Sequence, residues 1–286
     1  MKKMFSKMLI ALKKATPMYL ALLVICGVLA NAGVALPSAL QWAYEPVEQT
    51  TAYAASVIEE FEQAQAPQQN ATPEDIVVTA GVFWNTFTTA DGTDISYVIR
   101  TPEHTTMNMP LVVYLHEEGI TSIPALAQVG PVKAAEMANV ENCIIIQPLA
   151  TSSWVIESQE AIVRELTQYI VDTYYCDITR VTLTGFEAGA AGVWYYAALA
   201  PDFWQNISPV SAAPLTDTRP LMGNSLDCYM VYGEYDVYSI KGDMKRVGDN
   251  MAATGATVTQ VVMESTDHSG VRANAYDNNW FDWACN

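Results

Sequence analysis

Thr182-Leu183-Thr184-Gly185-Phe186-Glu187-Ala188-Gly189-Ala190 decides the fold. Arg180 to Thr184 reads as a strand. Gly185 to Gly189 is a Gly-x-Xaa-x-Gly turn, and the small-residue run Ala188 to Ala200 reads as a helix that begins at once. Two glycines free the backbone for a sharp turn between strand and helix. The residue at the centre of that turn is Glu187.

Outward from this turn, the chain alternates strands and helices. Gly81 to Thr89 and Ile95 to Arg100 alternate apolar and polar residues around Asp91-Gly92, the pattern of a hairpin. Leu111 to Leu115 and Cys143 to Gln147 are short continuous apolar runs, which suit strands buried on both faces. A crossover helix is predicted between them at Pro124 to Ala138, because parallel strands need one. Ile156 to Tyr175 carries an apolar stripe of Ile162, Leu166 and Ile170, which predicts a long amphipathic helix. Strands Ile207 to Val210 and Tyr229 to Tyr232, helix Ile240 to Ala253, strand Thr257 to Met263 and a last helix near Asn274 to Ala284 complete the order. The fold class expected is α/β, with a doubly wound, mostly parallel sheet.

Four blocks, in this order, carry a resemblance. They are Pro110 to Gly119 with His116-Glu117-Glu118-Gly119, Asp177 to Gly185, Tyr232-Gly233-Glu234-Tyr235-Asp236, and Asp267-His268-Ser269. They resemble the α/β-hydrolase superfamily, in its esterase and prolyl-oligopeptidase-like branch, from about Gly81 to the C-terminus. The order of nucleophile position, acid and histidine is the one that family uses. The resemblance implies that His268 is the general base and that Asp236 orients it. The backbone N–H groups of Glu117 and Ala188 would form the oxyanion hole. Glu187 occupies the nucleophile position, where the family has serine.

That replacement bears on activity. Serine passes its proton to histidine and attacks a carbonyl, whereas an ionised glutamate has no proton to give. Loss of the serine in subtilisin costs about 10⁶ in kcat. Glu117 and Glu118, if they face the site, oppose the negative charge of an acyl-transfer transition state. In the alternative, both face solvent and Glu187 pairs with His268. Some family members use an aspartate as nucleophile, but glutamate is one methylene longer and displaces the attacking oxygen by about 1.5 Å. The resulting expectation is a catalytically impaired pseudo-hydrolase that binds a ligand or partner. The rival is an active hydrolase of ester, peptide or other acyl bonds with a non-standard Glu187, Asp236 and His268 triad. Ser122, Ser211 and Ser269 are read as capping or turn residues, and His104 as solvated. Carboxylates clustered at one sheet edge suit a hard cation, but no dedicated metal-loop motif is present, and neither metal nor cofactor is expected.

Charge and targeting bound the partners. The formal net charge is −17, yet Lys2, Lys3, Lys7, Lys13 and Lys14 all precede the first acidic residue, Glu45. From Glu45 onward nine basic residues face 31 acidic ones, a net of −22. Such a surface disfavours nucleic acid and anionic lipid, which leaves a small molecule or polymer as the expected ligand. Residues 1–35 read as a signal peptide or membrane anchor. A lysine-rich start precedes an apolar core at Met18 to Leu29, then Ala30-Asn31-Ala32, a small-residue cleavage pattern. An uncleaved segment of about 20 apolar residues would span a bilayer. The expected location is therefore secreted or extracytoplasmic, with membrane contact only through this segment. Residues 45–74 read as a helical extension and linker, and 75–286 as the α/β-hydrolase domain. Removal of residues 1–35 leaves Cys143, Cys176, Cys228 and Cys285, an even count that in an exported chain suggests two disulfides. In the hydrolase fold all four fall at the edge opposite the site, and strand neighbourhood predicts the pairs Cys143–Cys176 and Cys228–Cys285.

Overall fold

The computed structural model describes residues 79–221, 225–239 and 241–285. The expected N-terminal segment (1–35) and the helical extension and linker (45–74) lie outside the described residues. β1 (Gly81–Thr88) and β2 (Asp94–Thr101) form the expected antiparallel hairpin, in register from Gly81 opposite Thr101 to Thr88 opposite Asp94. Its turn is closed by Asp91, which accepts from the Thr89 hydroxyl at 2.5 Å and the Thr93 N–H at 3.0 Å. β3 (Leu111–Leu115) is buried at every position.

The crossover that follows is two helices, not one: α1 (Ile123–Leu126) and α2 (Gly130–Ala138). The break falls at Gly130-Pro131, where the proline lacks an N–H to continue a helix and disfavours helical backbone in the residue before it. Gly130 takes φ of +63°, and a Cβ there would lie 2.6 Å from the Tyr114 ring. β4 (Ile144–Pro148) is fully buried, and α3 (Glu157–Tyr174) turns Val163, Leu166 and Ile170 onto the sheet. β5 (Val181–Phe186) runs into α4 (Ala188–Leu199), as the glycine turn predicts. β6 (Asn206–Val210), β7 (Asp227–Gly233), α5 (Lys241–Ala253) and β8 (Thr257–Met263) continue the alternation. Two helices follow: α6 (His268–Asn274), which was not expected, and α7 (Asn278–Ala284), which starts four residues after the helix expected near Asn274 to Ala284. Asp277 starts the second by accepting the Trp280 N–H at 2.9 Å, an N-cap that opens a new helix.

The eight strands lie in the order β1-β2-β4-β3-β5-β6-β7-β8. β2 is antiparallel to both neighbours, and β3 to β8 are mutually parallel. One face of the sheet packs on α3, α4 and α5, the other on α1, α2, α6 and α7. The sheet is therefore doubly wound and mostly parallel, as expected. From β3 the chain steps outward to β4, then crosses back to β5 on the other side. The loops after β3 and β5 thus flank the point where the winding reverses, where open α/β sheets form their binding crevice at the carboxyl ends of the strands.

The disulfide expectation is corrected. Cys143, Cys176, Cys228 and Cys285 are all free and buried. They do lie at the edge away from that crevice, but the neighbour of Cys285 is Cys143 and not Cys228. The Thr182 hydroxyl donates to the Ala284 carbonyl at 3.2 Å, which seats the end of α7 over β5. There the adjacent Cys143 thiol, and after it burial, push the Cys285 thiol well above its ordinary range.

Candidate active site

The turn at Glu187 carries backbone strain. Glu187 has φ 54° and ψ −111°, a region that side-chain-bearing residues rarely occupy. Such a residue costs on the order of 1–3 kcal/mol and persists only where its surroundings hold it. They do so here. The Glu187 N–H donates to the Val210 carbonyl, and the Glu187 carbonyl accepts from the Ala191 N–H, both at 3.1 Å. The flanking glycines have a different duty from the one their spacing suggests. Neither takes positive φ; they are small because β3 passes close by. A Cβ on Gly189 would overlap the Leu115 carbonyl oxygen, and one on Gly185 would lie 2.5 Å from the Gly189 carbonyl carbon.

The loop after β7 and the start of α6 bring Asp236 and His268 together as expected. Asp236 is buried. Its Oδ1 accepts the Tyr238 N–H at 2.9 Å, and His268 Nδ1 lies 3.1 Å from Oδ1 and 3.2 Å from Oδ2. The imidazole packs against two rings, Phe186 at 4.7 Å and Tyr238 at 4.3 Å between centroids. These contacts place the proton on Nδ1 and leave the Nε2 lone pair free, the tautomer a general base needs.

Ser211 joins this pair, against the expectation of a simple turn residue. It follows β6, is fully buried, and takes φ of +63°. Its hydroxyl donates to Asp236 Oδ2, while its Oγ lies 2.8 Å from His268 Nδ1. The hydroxyl is therefore on the Asp236 side of the ring and away from Nε2. Of the other two serines, Ser122 precedes α1 without capping it through its side chain. Ser269 lies in the first turn of α6.

The oxyanion loop differs from both alternatives for Glu117. Glu118 is exposed, but Glu117 is buried, with only 5% of its surface accessible. Its Oε1 accepts from Arg272 Nε at 2.8 Å and also from Nη2, and its Oε2 accepts the Tyr114 hydroxyl at 2.8 Å. The carboxylate is thus neutralised by a cation and does not stand as a free negative charge at the crevice. Nor does Glu187 pair with His268: among the described residues no ion pair or side-chain hydrogen bond engages the Glu187 carboxylate. His104 is exposed. Among the described residues no group of three or more His, Cys, Asp or Glu is arranged to hold a metal ion.

His116 locks the same loop. Its Nδ1–H donates to the Glu117 carbonyl at 2.7 Å and its Nε2 accepts the Ala150 N–H at 3.1 Å. Burial holds its pKa below the ordinary histidine value, so it stays neutral. Trp154 Nε1 donates to the His116 carbonyl at 2.8 Å. Because C=O and N–H point in opposite directions across a trans peptide, Trp154 turns the Glu117 N–H the other way. That N–H and the Ala188 N–H, the first of α4, have no partner among the described residues. The Ala188 N–H is one of the orphan donors at a helix start, where the helix dipole also favours negative charge. The arrangement can hold an oxyanion and can take a proton at His268 Nε2. The residue at the turn that joins β5 to α4 is Glu187, which offers a carboxylate where a serine would offer a hydroxyl. Sequence reading took Ser211 for a capping or turn residue and overlooked Trp154, Tyr114 and Arg272 as members of the site. The only signal for them was position, since Ser211 follows a strand end and Arg272 lies one helical turn beyond His268.

No protein-family model matches the sequence, and no curated protein matches it. Solved structures do resemble it in shape. A thermostable esterase superposes with a TM-score of 0.59 at 18% identity over 71% of this chain. The chain spans 62% of that esterase's length. An S-formylglutathione hydrolase from Agrobacterium tumefaciens gives 0.56 at 12% identity, over 75% of this chain and 98% of its own. A hyperthermophilic esterase from the archaeon Pyrobaculum calidifontis gives 0.54 at 13% identity, over 73% and 84%. The strand order, the strained turn after β5 and these likenesses together make the chain an α/β-hydrolase fold.

Proposed function

We propose that this protein is an exported pseudo-hydrolase of esterase lineage, which binds a ligand in the crevice without turning it over. The observation that carries the reading is the occupant of the strained turn. The backbone, the two free N–H groups and the Asp236–His268 pair are in place, but Glu187 supplies no hydroxyl. Ser211, the hydroxyl that does touch the histidine, is held by Asp236 on the Nδ1 side and cannot pass its proton to Nε2. A rim of Tyr235, Val237, Tyr238 and Leu215, each more than half exposed, borders this end of the sheet. Exposed apolar clusters of this kind mark binding surfaces. Export rests on the basic and apolar N-terminal segment, and mass spectrometry of the mature N-terminus tests it: an intact Met1 in a soluble cytoplasmic fraction contradicts it.

Activity is tested with short activated acyl esters. Wild-type protein is expected to hydrolyse them no faster than Glu187→Ala. A clear excess over that control, lost on His268→Ala, would overturn the reading and make the Glu187 carboxylate a reactive group. Glu187→Ser is expected to gain activity, because Arg272 already neutralises Glu117. A correctly placed base contributes roughly 10²–10⁴-fold, so the gain over Glu187→Ala should be at least about 100-fold and should vanish when His268→Ala is added.

A further inference from the structure

A cavity of about 330 Å³ opens between α2 and α6, behind the oxyanion loop. It shares Phe186 and Ser269 with the neighbourhood of His268, but neither Glu187, Ala188 nor His268 lines it. Its charged lining is unusual for this chain. Lys133 and Arg272 border it together with Glu117, an excess of one positive charge in a protein of net charge −17. Glu117 is already satisfied by Arg272 and Tyr114. The Lys133 ammonium has no partner among the described residues. Arg272 spends Nε and Nη2 on Glu117, while Nη1 makes no hydrogen bond to a described residue and half of the side chain is exposed. The remaining walls are aromatic and thioether: Tyr114, Tyr276, Phe186 and Met137. Pockets of this size that combine aromatic walls with converging polar groups bind small ligands.

We propose that this cavity is a binding site for a small aromatic carboxylate, distinct from the crevice at Glu187. The carboxylate bridges Lys133 and the free edge of Arg272, and the ring lies against Tyr114, Phe186 and Met137. Aromatic walls favour an aromatic body over a bare inorganic anion, which would leave that apolar surface uncovered. The site bears on the neighbouring crevice in two ways. Phe186 packs on the His268 ring, and Arg272 holds the glutamate whose N–H is an oxyanion donor. The inference stands on the cavity and not on the fate of Glu187, so activity in the ester assay leaves it untouched.

Titration calorimetry of the full-length protein with benzoate and with benzamide, its uncharged counterpart, tests it. Benzoate is expected to bind at least about tenfold more tightly, because hydrogen bonds to an ionised partner are roughly twice as strong as neutral ones. Lys133→Met should remove most of that preference. Ala134→Phe, which fills the cavity from α2, should abolish binding of both compounds, while Glu187→Ala should change neither affinity. Equal binding of the two compounds, no measurable benzoate binding, or benzoate affinity unchanged in both Lys133→Met and Ala134→Phe would each overturn the proposal. Loss of benzoate binding in Glu187→Ala, with none in Ala134→Phe, would place the ligand in the crevice and overturn it too.

Discussion

At the scale of single residues, the turn at Glu187 and the loop at His116 make separable predictions. Glu187 sits at φ 54°, ψ −111°, a conformation glycine reaches without a Cβ penalty. Glu187→Gly should therefore be more stable than Glu187→Ala. Strain relief on the order of 1–3 kcal/mol, less the roughly 0.5–1 kcal/mol that glycine costs through its unfolded freedom, leaves about 1 kcal/mol. Melting temperatures of the two variants check this, and an alanine variant equal to or above the glycine one would show that no strain is stored. His116 predicts a pH effect. Burial lowers its folded pKa below the ordinary value of about 6.5, so the folded state binds fewer protons than the unfolded one. The resulting stability is present above pH 6.5 and is lost as pH falls from there through the folded pKa. Unfolding free energies of wild type and His116→Gln, measured from pH 7.5 to 5, should diverge least at the acid end. A constant gap across that range would contradict the assignment.

At the scale of elements, close approach rather than propensity decides what the turn and its neighbours tolerate. Gly189 is the second residue of α4, where alanine is ordinarily the better helix former by about 1 kcal/mol. Gly189→Ala should nevertheless destabilise by about 3 kcal/mol or more, since its Cβ would overlap the Leu115 carbonyl oxygen and β3 has no slack to yield. Thermal or urea denaturation reads this directly, and a stabilised variant would mean that β3 and α4 lie farther apart. The same logic explains where element boundaries were legible. β3, β4, β8 and the β1–β2 hairpin follow from apolar runs and alternation. The division of the crossover into α1 and α2 falls at Gly130-Pro131, while the contact with Tyr114, 16 positions earlier, keeps residue 130 without a Cβ. The start of α7 was written locally, in the Asp277 cap, but Ala275 and Tyr276 continue an apolar pattern that masks it, and α6 lies where the sequence reads as a loop.

For the whole molecule, the thiols give the clearest prediction. Cys143, Cys176, Cys228 and Cys285 are all buried, and burial raises Cys228 above its ordinary range and lifts Cys176 to about 12. The folded protein, purified without reductant, should react with a thiol reagent at none of the four within minutes, and at all four once denatured. A linked pair in a non-reducing peptide map would contradict this. The sequence by itself determined the alternation of strands and helices, the turn after β5, the absence of a serine there, and the Asp236–His268 pair. Each of these is written in local periodicity, in glycine spacing or in the identity of one residue. Only the tertiary structure decided which way the charges point. Glu117 is neutral in effect because Arg272, 155 residues later, reaches it from another helix, and Ser211 enters the histidine's network because β6 and β7 are neighbours in the sheet. It likewise decided that Cys285 meets Cys143, through where α7 comes to rest. Such contacts join residues distant along the chain, and local pattern carries no record of the packing that brings them together.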